Sequence, residues 1–143
     1  MSTTVTVTAT ATIPKPVEHV WSVLSDHEGM SSWGPGLNVT LVEDGAAERN
    51  GLGAVRRIDA PGPAPAIVEE IVVFEENRAL GYRAKAGVPF KNYSGLVTLT
   101  PAGAGTRVDY AITIDPRVPA VEKGAAALVA RVLLSALVRA SKR

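Results

Sequence analysis

The sequence predicts an α+β fold: a seven-stranded antiparallel sheet curled around one long C-terminal helix, with two short helices after the first strand. Three observations carry this expectation. Residues 3–13 set Val5, Val7, Ala9, Ala11 and Ile13 against threonines in strict alternation, the period of a strand with one buried face. Between residues 37 and 116, six further segments of β-forming residues follow one another across short Gly-, Pro- and Asn-containing breaks, which favours antiparallel neighbours. Residues 121–143, VEKGAAALVARVLLSALVRASKR, contain no proline and are rich in Ala, Leu and Arg, all strong helix formers.

Each element has a local cause. Pro14 and Pro16 stop the first strand, and Pro16 suits the first turn of a helix whose apolar residues Val17, Val20, Trp21 and Leu24 follow the i, i+3, i+4, i+7 spacing. That helix ends near Asp26, and residues 27–33 add a turn or two before Gly34-Pro35-Gly36 breaks the chain. The strands are then LNVTLVEDG, GAVRRIDA, AIVEEIVVFEEN, RALGYRAKAG, KNYSGLVTLTP and GTRVDYAITIDP, with PGPAP and Gly87-Val88-Pro89-Phe90 as exposed bends. On a wheel of about 100° per residue, the last helix gathers Val121, Ala125, Val129, Val132 and Ala136 in one stripe, with Gly124, Arg131, Ser135 and Lys142 in a narrow polar one. Leu133, Leu134, Leu137 and Val138 widen the apolar arc beyond what one contact surface requires. Part of residues 128–137, Leu128 and Val132 included, is therefore expected to face a space between helix and sheet.

Composition narrows the function. The length suits one domain over residues 1–143. Lys plus Arg number 15 against 14 Asp plus Glu, a net charge of +1 that gives no electrostatic case for nucleic acid. Without cysteine there is no disulfide, thiolate chemistry or Cys-type zinc site. The two histidines show no metal-ligand spacing: His19 is expected on the solvated side of the first helix, and His27 at its end in a cap or dipole role. No G-x-S-x-G occurs, and Gly51-Leu52-Gly53 lacks the third glycine of a dinucleotide loop, so it reads as a strand entry. The N-terminus has neither a basic start nor a continuous apolar run, and Arg131 and Arg139 interrupt the C-terminal one. These features predict a cytoplasmic protein with no cofactor, no metal and no stable membrane insertion, its oligomeric state open.

The order of elements, with IPKPVEHVWSVLSDHEGMSSWGPG at the front, GLGAVRRI in the middle, YSGLVTLTPAGAGTRVDY near the end and a closing helix, resembles the SRPBCC superfamily. That group has the START-like, Bet v 1-like helix-grip fold, and the likeness is to its polyketide cyclase/dehydrase branch. The resemblance implies a hydrophobic cavity between sheet and long helix for lipids, polyketides or other apolar small molecules. It does not imply one reaction.

Pairing arithmetic assigns residues to that cavity. A hairpin centred on Pro63 sets Arg57 opposite Glu69 and Arg56 opposite Glu70, and one centred on Asn77-Arg78 sets Tyr82 opposite Val73. One face then holds Val55, Arg57, Glu69, Ile71, Val73, Leu80, Tyr82 and Ala84, and the other holds Arg56, Glu70, Arg83 and Lys85, too charged to bury unpaired. The first is expected to look inward, and a slip of one residue would reverse any strand. Later alternation adds Tyr93, Val97 and Leu99, then Val108, Tyr110, Ile112 and Ile114. The ligand-binding set is thus Arg57, Glu69, Ile71, Val73, Tyr82, Tyr93, Val97 and Tyr110 from the sheet, with Leu128 and Val132 from the helix. Small residues at Ala84, Ala86, Gly95 and 125–127 are expected to leave the room. Trp21 reads as core, while Trp33 beside the Gly-Pro-Gly break reads as core or as the lining of an opening.

Two accounts of the polar residues stay open: anchors in a greasy pocket, or tyrosines bonded to backbone and an Arg57–Glu69 pair that only satisfies two buried charges. Three functions follow. The first is binding of a lipid, fatty acyl chain or polyketide, with a hydrophobic small molecule as the partner. The second is a cofactor-independent aromatase, cyclase or dehydratase in which Tyr and Arg hold ketone oxygens. The third is a partner- or membrane-surface module using the excess apolar area of the last helix with Arg131, Arg139, Lys142 and Arg143.

Overall fold

The computed structural model describes residues 4–143. Thr3, at the start of the expected first strand, lies outside them. The elements run β1 (Val5–Ile13), α1 (Val17–Leu24), a 3-10 helix (Glu28–Ser32), β2 (Asn38–Glu43), β3 (Val55–Asp59), β4 (Ile67–Glu75), β5 (Ala79–Ala86), β6 (Ser94–Ala102), β7 (Gly105–Ile114) and α2 (Pro119–Ser141). Seven antiparallel strands are ordered β1-β7-β6-β5-β4-β3-β2 in one sheet, as the alternation and short connections predict. The second short helix is of the 3-10 type.

Alternation sets the buried face of the longest strands. β1 pairs with β7 from Val5–Ile114 to Ile13–Thr106, so the valines, alanines and isoleucine of one strand share a face with Val108, Tyr110, Ile112 and Ile114 of the other. Those four β7 residues are buried, as are Tyr93, Val97 and Leu99. The helix α2 packs against β1, β7 and α1. It therefore covers one end of the concave face and stands off from β3, β4 and β5.

The middle hairpins differ from the expected register, for identifiable reasons. The β3–β4 turn is centred between Gly62 and Pro63, so Arg56 faces Glu69 and Arg57 faces Val68. This one-residue slip exchanges the two arginines: Arg56 is buried at 3 % exposure, while Arg57 stands outside, bonded to Asp59. The β4–β5 turn is centred on Asn77, whose positive φ of 61° places it in the left-handed region that asparagine tolerates and a three-residue hairpin loop uses. A bulge then leaves Val72 unpaired between Ile71–Tyr82 and Val73–Gly81. The bulge turns Val73 to the outer face beside Leu96 and brings Phe74 inward onto Trp21, with ring centroids 5.1 Å apart. Ile71, Tyr82 and Leu80 keep their inward placement.

The buried residues of α2 are Ala126, Ala130, Leu134, Ala136, Leu137, Ala140 and Ser141, a stripe rotated from the one that begins at Val121, of which Ala136 alone is buried. Its small residues let the helix sit close to β1 and β7. Val121, Leu128 and Val132 stand opposite, 68 %, 62 % and 57 % exposed. His19 is not simply solvated: its Nε2 lies 2.8 Å from the Ser141 carbonyl oxygen and ties α1 to the C-terminal end of α2.

Candidate functional site

A cavity of about 390 Å³ opens between α2 and the part of the sheet that α2 leaves uncovered. Its walls come from four regions. The turn after α1 gives Met30, Trp33 and Pro35, the β3–β4 hairpin gives Ile58, Pro61 and Ile67, the sheet gives Tyr82, Tyr93 and Tyr110, and α2 gives Val129, Val132, Leu133 and Ala136. Most of this lining is apolar.

Polar groups converge where Arg56 and Glu69 reach the cavity. Glu69 Oε1 accepts from Arg56 Nε at 2.9 Å and lies 2.7 Å from Nη2, with both side chains almost wholly buried. Arg56 Nη1 lies 3.1 Å from His27 Nδ1 and 3.1 Å from Met30 Sδ, and the guanidinium stands over the Tyr82 ring, 4.9 Å from its centroid. Burial, the largest single influence, would lower the Arg56 pKa, but the Glu69 carboxylate together with Tyr82 and Tyr110 outweighs it and the guanidinium stays charged. Burial, helped by the Arg56 charge, lowers the His27 pKa to about 4, so the imidazole is neutral at pH 7. Its Nε2 lies 2.7 Å from the Asn50 carbonyl oxygen, which only accepts, and therefore carries the proton. Nδ1 is left as the acceptor for Arg56.

The tyrosines complete the site. Tyr82 and Tyr110 hydroxyls are 2.7 Å apart, so one donates and the acceptor keeps its own proton for a third group. Burial raises the Tyr82 and Tyr110 pKa values, and that of Tyr93 to about 12, so all three remain neutral donors. Gly95 is what lets the Tyr82 ring lie where it does: a Cβ there would fall 2.3 Å from the ring carbon Cζ. Phe90 stacks on Tyr93 from outside, with centroids 6.0 Å apart.

Of the residues expected to bind ligand, Glu69, Tyr82, Tyr93, Tyr110 and Val132 line the cavity. Ile71 and Val97 point inward but are fully buried in the core, away from its wall. Arg57 and Val73 lie on the outer face through the register slip and the bulge, and Leu128 stands on the exposed side of α2. Trp33 lines the cavity, whereas Ala84, Ala86 and Gly95 do not, and Ala60 and Ala136 supply small residues in their place. Sequence reasoning missed Arg56, His27 and Arg139. The signal for His27 is its spacing: it follows Leu24 by three and Val20 by seven, continuing the buried stripe of α1 rather than ending it.

A family model described as polyketide cyclase / dehydrase and lipid transport matches residues 4–142. No curated protein matches the sequence. Among solved structures, a START superfamily protein from Mycobacterium smegmatis superposes with a TM-score of 0.81 at 18 % identity, covering 96 % of this chain and 97 % of its own. Ara h 8.0201 does so with a TM-score of 0.73 at 16 % identity, covering 99 % and 100 %. The protein TTHA0849 from Thermus thermophilus gives 0.73 at 22 % identity, covering 96 % and 97 %. At these identities the likeness is one of fold.

Proposed function

Because the chain belongs to the polyketide cyclase / dehydrase and lipid transport family, we propose that its cavity binds an uncharged hydrophobic small molecule carrying hydroxyl or ketone oxygens, polyketide-like rather than a free fatty acid or a phospholipid. One observation supports this most: at the buried end of the cavity the charges are already balanced, while Arg139, the lining residue without an ion-pair partner among the described residues, stands exposed on α2 at the mouth. Arg56 gives donors to Glu69, His27 and Met30 and its face to Tyr82, so a ligand carboxylate would have to displace Glu69 or lie against it. A neutral oxygen meets no such conflict, and the spare tyrosine proton can donate to it. Size argues in the same direction. A cavity of about 390 Å³ lies at the lower end of the roughly 300–1,000 Å³ of small-molecule pockets, well short of what a diacyl lipid fills. Native mass spectrometry of the freshly purified protein tests for a co-purifying neutral molecule. Displacement of the neutral dye Nile red should take at least about tenfold less naringenin, a neutral polyphenolic ketone, than palmitate, a difference of about 1.4 kcal/mol; equal or better displacement by palmitate overturns the proposal.

The convergence of Glu69 with Tyr82 and Tyr110 favours a second reading, a cofactor-independent cyclase or dehydratase. Glu69 would take a proton from the carbon next to one ketone, that carbon would bond to the carbon of a second ketone of the same chain while a tyrosine donates to the second oxygen, and the hydroxyl so formed would leave as water with a further proton from the attacking carbon, giving a C=C bond. Incubation with a linear polyketone decides this. A loss of water that requires Glu69 supports catalysis, and an unchanged mass leaves binding alone.

A further inference from the structure

The outward strip of α2 lies beside the cavity mouth. On the helical wheel, Val121, Leu128, Val132 and Arg139 fall within about 40° of one another, with Arg131 and Lys142 along one flank and Arg143 on the other. Val121, Leu128 and Val132 are each more than half exposed, as is Val118 just before the helix. Such a row of large apolar side chains in water is unusual unless something covers it. The strip holds no acid: Glu122, the one acidic residue of α2, turns back to accept from the Arg117 and Val118 amides. Among the described residues, Arg131, Arg139 and Lys142 have no ion-pair partner. Val132 and Arg139 also line the cavity, and the opposite lip is the exposed, uncharged Pro-rich bend at residues 60–66.

We propose that this face, the α2 strip and the mouth beside it, docks reversibly on an anionic bilayer surface. Apolar residues with cations at their flanks are what such an interface takes up, the side chains entering the headgroup boundary and the cations meeting lipid phosphates and carboxylates. A second copy of the chain fits less well, because a two-fold pairing through the strip sets the same unpaired cations against each other. No described helix is long and apolar enough to cross a membrane, so the association is peripheral. Docked in this way, the mouth would open toward the lipid phase, where an apolar ligand is concentrated.

Flotation of the full chain with vesicles tests the surface independently of any cavity occupant. The protein should float with phosphatidylcholine vesicles containing roughly one third phosphatidylserine, not with pure phosphatidylcholine, and added salt should release it. Neutralising two cations that do not line the cavity, by Arg131→Gln with Lys142→Gln, should weaken partitioning about 30-fold. Leu128→Asp should abolish it, whereas Arg78→Gln on the distant β4–β5 turn should not change it. Thermal unfolding shows whether each variant is folded, which residues this exposed should permit. Absence of flotation, equal flotation on neutral vesicles, or unaltered flotation of the double variant overturns the proposal. So does self-association through the strip that Leu128→Asp abolishes, or capture by duplex DNA in place of vesicles. If flotation fails while Nile red still enters, docking is wrong and the cavity reading stands.

Discussion

Replacing Glu69 by Gln is the sharpest perturbation of the buried polar cluster, because it changes charge with almost no change of shape. In the wild-type protein the Arg56 and Glu69 side chains are 4 % and 5 % exposed and 2.7 Å apart. Removing one partner of such a pair costs about 3–5 kcal/mol, since the other charge is left buried and uncompensated. Gln retains an acceptor oxygen, and the Tyr82 face still attracts the guanidinium by up to about 2 kcal/mol. The expected loss is therefore at the low end, about 3 kcal/mol, with a fall in Tm on the order of 10 °C for a domain of this size. Urea denaturation measures it, provided the slope with denaturant is unchanged. Adding Arg56→Met removes the stranded charge, so the double variant should regain at least about 2 kcal/mol relative to the summed single losses. If Glu69→Gln costs less than about 1 kcal/mol, or the two losses simply add, the pair does not hold the cluster together as argued. The double variant also separates fold from recognition: it should keep Nile red uptake and lose the preference for naringenin over palmitate.

Three further outcomes follow from the same geometry. Between pH 6.5 and about 4 the unfolded chain binds a proton at His27 that the folded chain refuses, so stability falls as pH drops through this window, by about 3 kcal/mol in total; His27→Asn should flatten that part of a urea-midpoint profile against pH, and an unaltered profile contradicts the neutral buried imidazole. Gly95→Ala should push the Tyr82 ring from its seat and break the hydroxyl pair with Tyr110, at a cost of about 1–3 kcal/mol; a crystal structure with both hydroxyls still 2.7 Å apart would refute this. Val132→Trp, at a position that lines the cavity yet is 57 % exposed, should block the mouth and reduce Nile red uptake while moving stability by less than about 1 kcal/mol; unchanged uptake would place the entrance elsewhere.

The architecture was legible because it rests on patterns that need no loop geometry. Strict alternation in β1 and β7, breaks at glycine and proline, and a long Ala- and Leu-rich helix each specify an element by period alone. The three tyrosines came through for the same reason: Tyr82 and Tyr110 sit among apolar residues at a spacing of two, and Tyr93 opens the alternating row that Val97 and Leu99 continue. The polar cluster was half legible. Glu69 was placed inward correctly, but its partner depends on whether the β3–β4 turn centres on Pro63 or half a residue before it, and the Arg56-Arg57 dipeptide offers a plausible partner either way. Val73 failed at a bulge, which inserts a residue without a sequence mark of its own. On α2 the error was one of rotation. Ala126, Ala130 and Ala140 are buried because small residues allow close packing, while larger Val121 and Leu128 stand outside, the reverse of what side-chain hydrophobicity alone selects.

Arg56 on β3 and Glu69 on β4 are tied to His27 before the 3-10 helix, and His27 to Asn50, so the polar end of the cavity is cross-linked across four parts of the chain. Moving any one of these groups would leave a buried donor, acceptor or charge unsatisfied, so this end is held rigid. The mouth is built differently. Its lips are the exposed side of α2 and two stretches outside any helix or strand, the uncharged bend at residues 60–66 and the Gly34-Pro35-Gly36 break. On the proposed function, a ligand would therefore enter by parting the lips without disturbing the buried polar groups at the other end. Selectivity should then reside in affinity at the fixed polar end, while changes at the lips alter the rate of uptake before they alter the order of ligand preference.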